Sequence, residues 1–594
     1  MTSFNESLEV SLAKLYEKSP TFNVSIELIQ KLARHLKFET FVDTDVSFSN
    51  SLTKLKGSTD KHARLSIAGT RSLIDIDFTD DKNIIRVGIS LASRKSSEEN
   101  DHEMPSAELD SYISRSENNG TKVITLDLTK EHAYSITLGD FNENGIEKLL
   151  FNNLNQLKLN TFPENLKFIS NLDRLSSSSL DLFHYFNSLV LLFHVIHKIE
   201  LEKQPGNWQV EKGYASKIGK PSSNNVKTNE LGLFITYWKD LRYLDHEASL
   251  SDDEYTFELY IDETTREPID YLEEQKYNDW ILDDDQNQPI KYKFGFQDGT
   301  QLLPPNSSDS SESSTETKRW SIYLKLNKPV YVPASSIELL GLVNYSTVSP
   351  EKDEVYNLLQ QDEAMISFDL DKPTKLTFKQ QLAHKMIALK SLELNHLSDI
   401  TNLVAILRNQ IILTNIIRSS LKHHSVTQGF EIKTEHGIST RSTELSAEAK
   451  KKLKESLKLP DDVTEEALLG LGAVSENANY TNNKIINPKE IDVETFMTES
   501  NDNEDSSGKE DPGIELVWED IEYQSENKDL TFKLKGINGT LRFRISNGEI
   551  RLIPQDDDIE MKGSEESNDE FHKKVIKGLN VSEDLVESLH FAYT

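Results

Sequence analysis

No cysteine occurs among the 594 residues. That absence excludes disulfides, thiolate zinc sites and cysteine nucleophiles together, and it fits an intracellular chain. Basic residues are scarce too: 66 Lys and Arg stand against 99 Asp and Glu, a formal charge of −33. Phosphate backbones repel so acidic a surface, and no basic patch of useful size interrupts it. Direct nucleic-acid binding is therefore not expected. Apolar residues reach only 36%, below the usual ~45–50%, so some segments must stay outside any packed core.

Long hydrophobic runs are also missing. The start "MTSFNESLEV" has no basic region followed by an apolar run, so no secretory signal is read there. The most apolar stretch, Leu182 to His197, falls short of the ~20 residues of a spanning helix. It reads as a buried helix, and no membrane partner is expected. Triplets such as Asn119-Gly120-Thr121 and Asn538-Gly539-Thr540 read as chance glycosylation matches in an Asn/Ser-rich chain. There is no phosphate-binding G-x-x-x-x-G-K-S/T, no G-x-G-x-x-G, no G-x-S-x-G and no H-E-x-x-H. The chain is read as a non-enzyme with no catalytic residue, no cofactor and no metal.

What is present is alternation of apolar helices and strands with long polar insertions. Residues 1–92 read as an N-terminal pair of amphipathic helices followed by first strands. In the second helix Ile26, Ile29, Leu32, Ala33 and Leu36 recur at three- and four-residue steps. "RSLIDIDF" and "NIIRVGISLA" read as paired strands. Residues 93–120 are polar and read as a disordered insertion, and 121–300 as a central helical core and sheet. Residues 301–317 hold a Ser/acidic tract read as a disordered linker, and 318–424 carry strands and a long core helix. Residues 425–512 read as a mostly disordered acidic linker, and 513–594 as a β-meander with a terminal helix. Asn538-Gly539 and Asn547-Gly548 supply its hairpin signals. The pattern implies an α+β fold: mixed helices and antiparallel strands around a helical core, with long disordered acidic insertions.

Four features offer candidate sites, each with a plainer reading beside it. His194 and His197 sit three apart on a helix, but no carboxylate completes a metal set, so they read as core or interface histidines. Asp283, Asp285 and Asn287 follow the start of a calcium loop, but its sixth position is Gln288 and its twelfth Phe294, so a solvated acidic turn is preferred. Lys451-Lys452-Leu453-Lys454 fits a minimal import signal, or an exposed helix face. The Ser/acidic tracts at 304–317 and 500–510 are candidate kinase acceptors, or merely solubilising.

The stretch "LNTFPENLKFISNLDRLS", followed closely by "LDLFHYFNSL", resembles subunit 1 of the fungal Mediator of RNA polymerase II transcription. "ELGLFITYW", "KPVYVPASSIELL" and the helix "LVAILRNQIILTNIIRSSLK" are similar to later parts of that family, so the resemblance spans roughly residues 1–425. No L-x-x-L-L box of the kind animal relatives carry is present; the nearest is "IEKLL" at Ile146 to Leu150. The resemblance implies a nuclear, non-enzymatic scaffold or coactivator subunit of the Mediator middle module. It would bind other middle-module subunits, and reach activators and RNA polymerase II indirectly. The alternative is an unrelated intracellular adaptor or trafficking scaffold; an enzyme with a dispersed site would be marked by a deep pocket of convergent polar groups. Partner docking is expected on the N-terminal helices, through Leu8, Leu12, Leu15, Ile26, Ile29, Leu32 and Leu36. The family-signature helix presents Phe162, Leu166, Phe168, Ile169 and Leu172. Charges at Leu166 and Leu172 would either release the chain from its complex or unfold it, according to whether that face is external or internal.

Overall fold

A computed structural model of the chain describes residues 24–44, 63–79, 83–92, 109–128, 145–203, 216–239, 254–297, 319–379, 386–424, 514–523, 529–536, 540–553 and 565–593, apart from single positions and pairs within these spans. All of them belong to one unit, formed by residues 1–427 together with 513–594. Leu8, Leu12, Leu15, the Lys451–Lys454 run and both Ser/acidic tracts lie outside the described residues.

Helix α1 (Ile26–His35) starts where the Ser25 hydroxyl accepts from the Leu28 N–H at 3.3 Å. It stops at Lys37, whose φ of +73° lets the Phe38 N–H turn back to the Ala33 carbonyl. Strands β1 (Glu39–Asp43), β2 (Ala63–Ala68), β3 (Ser72–Phe78) and β4 (Ile84–Leu91) follow, then β5 (Ile113–Asn118) and β6 (Thr121–Asp127). Three helices come next: α2 (Ile146–Leu154), α3 (Thr161–Leu175) and α4 (Leu182–Lys203). Pro163 falls in the first turn of α3, where its missing N–H costs nothing. Strands β7 (Lys220–Asn225), β8 (Glu230–Lys239), β9 (Glu254–Glu263), β10 (Trp280–Asp285), β11 (Gln288–Gln297) and β12 (Trp320–Pro333) lead to α5 (Ala334–Leu339) and β13 (Tyr345–Val348). Then come α6 (Glu354–Leu359), β14 (Glu363–Leu370), β15 (Lys372–Lys379), β16 (Met386–Glu393) and the long α7 (Asp399–His424). The chain ends in β17 (Ile514–Tyr523), β18 (Leu530–Lys535), β19 (Thr540–Ser546), β20 (Glu549–Leu552), α8 (Glu565–Ser582) and α9 (Leu585–Tyr593).

The described strands form four sheets, in the orders β1-β2-β3-β4, β10-β11-β6-β5, β13-β16-β12-β9-β8-β7 and β14-β15-β17-β18-β19-β20. Most neighbours are antiparallel, but β6 pairs in parallel with β11 and β15 with β17. Helices α3, α4 and α7 pack on one face of the large sheet through β7, β8, β9 and β12, and α7 also meets β14 and β19 of the last sheet. The helical core is thus clasped between strands, as an α+β fold requires. Helices α4 and α7 are long and apolar enough to cross a membrane, but 78% and 83% of their most apolar windows are buried inside this chain.

Two expected segments need correction. The insertion read over 93–120 is ordered at its end: Leu109–Tyr112 make a 3-10 turn and β5 pairs with β6. Strand β5 is almost wholly exposed, so no apolar alternation marks it; backbone pairing and the Asn119-Gly120 turn, both at positive φ, hold it. The C-terminal strands β17 to β20 run as a consecutive antiparallel meander, which is joined to the rest of the fold. Strand β17 inserts beside β15 in one sheet, and two helices follow rather than one.

Candidate partner-docking site

The expected docking residues of α1 do not share one exposed face. Ile29 is fully buried in this chain's own core, which corrects its reading as a partner contact. Ile26, Leu32 and Leu36 are half-buried and pack against that core. An amphipathic stripe reports only that something covers it, and here much of the cover is internal.

The signature helix is internal as well. Phe162, Leu166, Ile169 and Leu172 are fully buried and Phe168 nearly so. Phe168 meets Phe186 of α4 edge-to-face, ring centroids 5.3 Å apart. Sequence reading missed this helix's polar side, which is buried too. Asn165 donates to Asn153 (2.6 Å) and to the Asn229 carbonyl (2.7 Å), and accepts from the Leu231 N–H (2.8 Å), fixing the turn between β7 and β8. The Ser170 hydroxyl donates to the Leu36 carbonyl at the end of α1, and Asn171 donates to the Ile261 carbonyl of β9. The Asp173 carboxylate accepts from the backbone N–H groups of Thr70 and Arg71 at 2.7 Å and of Ser72 at 2.9 Å, and from the Ser72 hydroxyl. One helix thereby ties α1, two sheets and a hairpin turn together. A buried polar group must be paired or costs free energy, so these residues fix a unique arrangement.

Helix α7 clasps the C-terminal part in the same way. Arg408 is fully buried and donates to the Tyr237 and Ser216 carbonyls and to Asn547 Oδ1, at 2.7–2.9 Å. Asn409 accepts from the Gly548 N–H at 2.9 Å. A Cβ on Gly548 would stand 2.6 Å from the Trp238 ring, and its φ is +83°, so the Asn547-Gly548 turn fits only with glycine. Near Arg408 lies Glu200, bound by the Ser216 hydroxyl and the Lys217 N–H. Burial pushes its carboxyl up to about 7, against the pull of those two donors and the Arg408 charge.

The weighed metal sites do not assemble. No group of three candidate ligands occurs among the described residues. His194 and His197 are held down to about 4, chiefly by burial. Asp283 and Asp285 lie in strand β10, paired with β11, where a calcium loop would need a tight turn; Asn287 lies outside the described residues.

A groove of about 840 Å³ lies on the large sheet, lined from the adjacent strands β7, β8, β9, β12 and β16 and the β7–β8 turn. Register places Ser222, Phe234, Glu258 and Lys325 in one row, and Lys220, Thr236 and Thr256 in the next. Lys220, Lys227, Lys239, Lys325 and Lys390 surround it. Glu254 is shared by Lys227 (3.4 Å) and Lys239 (3.7 Å), and Glu258 faces Lys325 at 3.5 Å. Burial pushes the Glu258 carboxyl up to about 7, with Lys325 opposing.

Residues 9–422 match the family model described as Mediator of RNA polymerase II transcription subunit 1. No curated protein matches the chain.

Proposed function

The chain belongs to the Mediator subunit 1 family, and on that premise we propose that it is a non-enzymatic, nuclear scaffold subunit of the Mediator middle module. It links gene-specific regulators to the RNA polymerase II machinery by holding other Mediator subunits. The observation that carries this reading is the family match, which spans the N-terminal helix, the signature helix and nearly all of α7. The absence of catalytic motifs from the sequence is consistent with it. Docking on neighbouring subunits uses residues 1–23 with Leu8, Leu12 and Leu15, continued by the half-buried Ile26 and Leu32 of α1 and Leu36 at its C-cap.

Affinity purification of the tagged chain from nuclear extract, with identification of what co-purifies, tests the reading. Other middle-module subunits should be recovered in stoichiometric amounts. A preparation free of every other Mediator subunit, or a chain found wholly outside the nucleus, would sink it.

A further inference from the structure

From the lysine-rimmed groove we infer that the outer face of the six-stranded sheet docks a short, extended, acidic segment of a partner protein. This does not depend on the family assignment. Helices α3, α4 and α7 cover the other face of this sheet, while the groove opens on side chains that the register turns outward. Five adjacent strands line it. At ~4.8 Å between strands they span about 19 Å, which matches five or six residues of extended chain. Thr236, Thr256 and Asn327 line it around the largely buried Phe234, so hydrogen-bonding side chains find partners there.

Charge chooses the occupant. Five lysines face three glutamates, Glu230, Glu254 and Glu258. Glu254 is divided between two ammonium groups, and Lys390 is exposed at the far strand. The groove therefore carries excess positive charge in a chain whose formal charge is −33. A ligand with a few carboxylates gains that local field. A long polyanion such as a nucleic acid meets the repulsion of the whole molecule. Among the described residues the lining includes no arginine for bidentate phosphate contacts, and Phe234 is buried rather than open for base stacking.

Fluorescence anisotropy with a labelled Glu/Asp-rich peptide of about six residues and the full chain tests the assignment. Saturable binding is expected, weakening roughly tenfold between about 50 and 200 mM salt, and a lysine-for-glutamate version of the peptide should not bind. Lys227→Glu with Lys390→Glu, at exposed positions, should weaken binding at least roughly tenfold while leaving the circular dichroism and melting temperature unchanged. Three outcomes would overturn it. One is a double variant that binds as the parent does. Another is a single-stranded oligonucleotide of equal charge that binds as tightly. The third is peptide binding that appears only after residues 304–317 are deleted, which would make the chain's own acidic tract the occupant.

Discussion

Asp173 shows how single residues hold this fold. Its carboxylate satisfies three backbone N–H groups in the turn between β2 and β3. A Cβ on Gly69 in that turn would lie 2.6 Å from the carboxylate. Replacing Asp173 by Ala leaves those donors without an acceptor, at a cost of about 2–4 kcal/mol. Urea denaturation of D173A should show that loss; a midpoint equal to the parent's would mean the turn is held by other contacts. Glu258 gives a pH prediction. Its folded carboxyl titrates at about 7, above the ordinary 4.5. The folded state thus keeps a proton the unfolded state has lost, and stability falls as pH rises from 4.5 through 7. Glu258→Gln mimics the protonated form. It should melt with the parent near pH 4.5 and above it at pH 8, and the same difference at both pH values would refute the assignment.

Elements differ in how openly their sequences announce them. Helices α3, α4 and α7 were legible because apolar residues recur at helical spacing over many turns. The pair β3–β4 and the hairpin at Asn547-Gly548 were legible from alternation and turn chemistry. Strands β1, β5 and β7 were not: their exposure patterns barely alternate, and neighbours in the sheet hold them. Helix α8 carried a readable stripe, Phe571, Val575, Ile576 and Leu579, all now buried, and the Asn119-Gly120 turn carried a readable hairpin signal. The parallel pairings join residues far apart in the chain, which no local pattern encodes. The groove was illegible for the same reason, since its lysines come from separate strands. Asn165, Ser170, Asn171 and Asp173 occupy the polar positions of an amphipathic pattern, which mark a solvent face unless distant segments cover them, as they do here. The burial of Leu166 and Leu172 now settles what charges there would do. Leu166→Glu or Leu172→Glu should abolish the cooperative melt and cost more than about 4 kcal/mol, because an unpaired charge enters a dry core. Ile26→Glu with Leu32→Glu should leave circular dichroism intact and reduce recovery of partner subunits. Unfolding by that second pair would place α1 wholly inside the fold.

At the scale of the whole molecule, the family match and the folded unit do not end together. The match stops at residue 422, yet residues 514–593 complete what precedes them. Strand β17 fills the place beside β15, and the Asn547-Gly548 turn occupies the space between Trp238 and α7. Glu583, near the start of the last helix, accepts from Asn415, and its carbonyl accepts from Ser419. Without this part, Arg408 loses one of its partners and α7 loses the cover that β19 and α9 give it. Residues 1–427 alone should therefore expose apolar surface and melt without cooperativity. Residues 513–594 supplied as a separate chain should bind them and restore one cooperative transition. Its midpoint should rise with concentration, because the two pieces now associate as independent molecules. A fragment 1–427 that melts by itself at the temperature of the intact chain would show that the C-terminal part merely rests on a finished core.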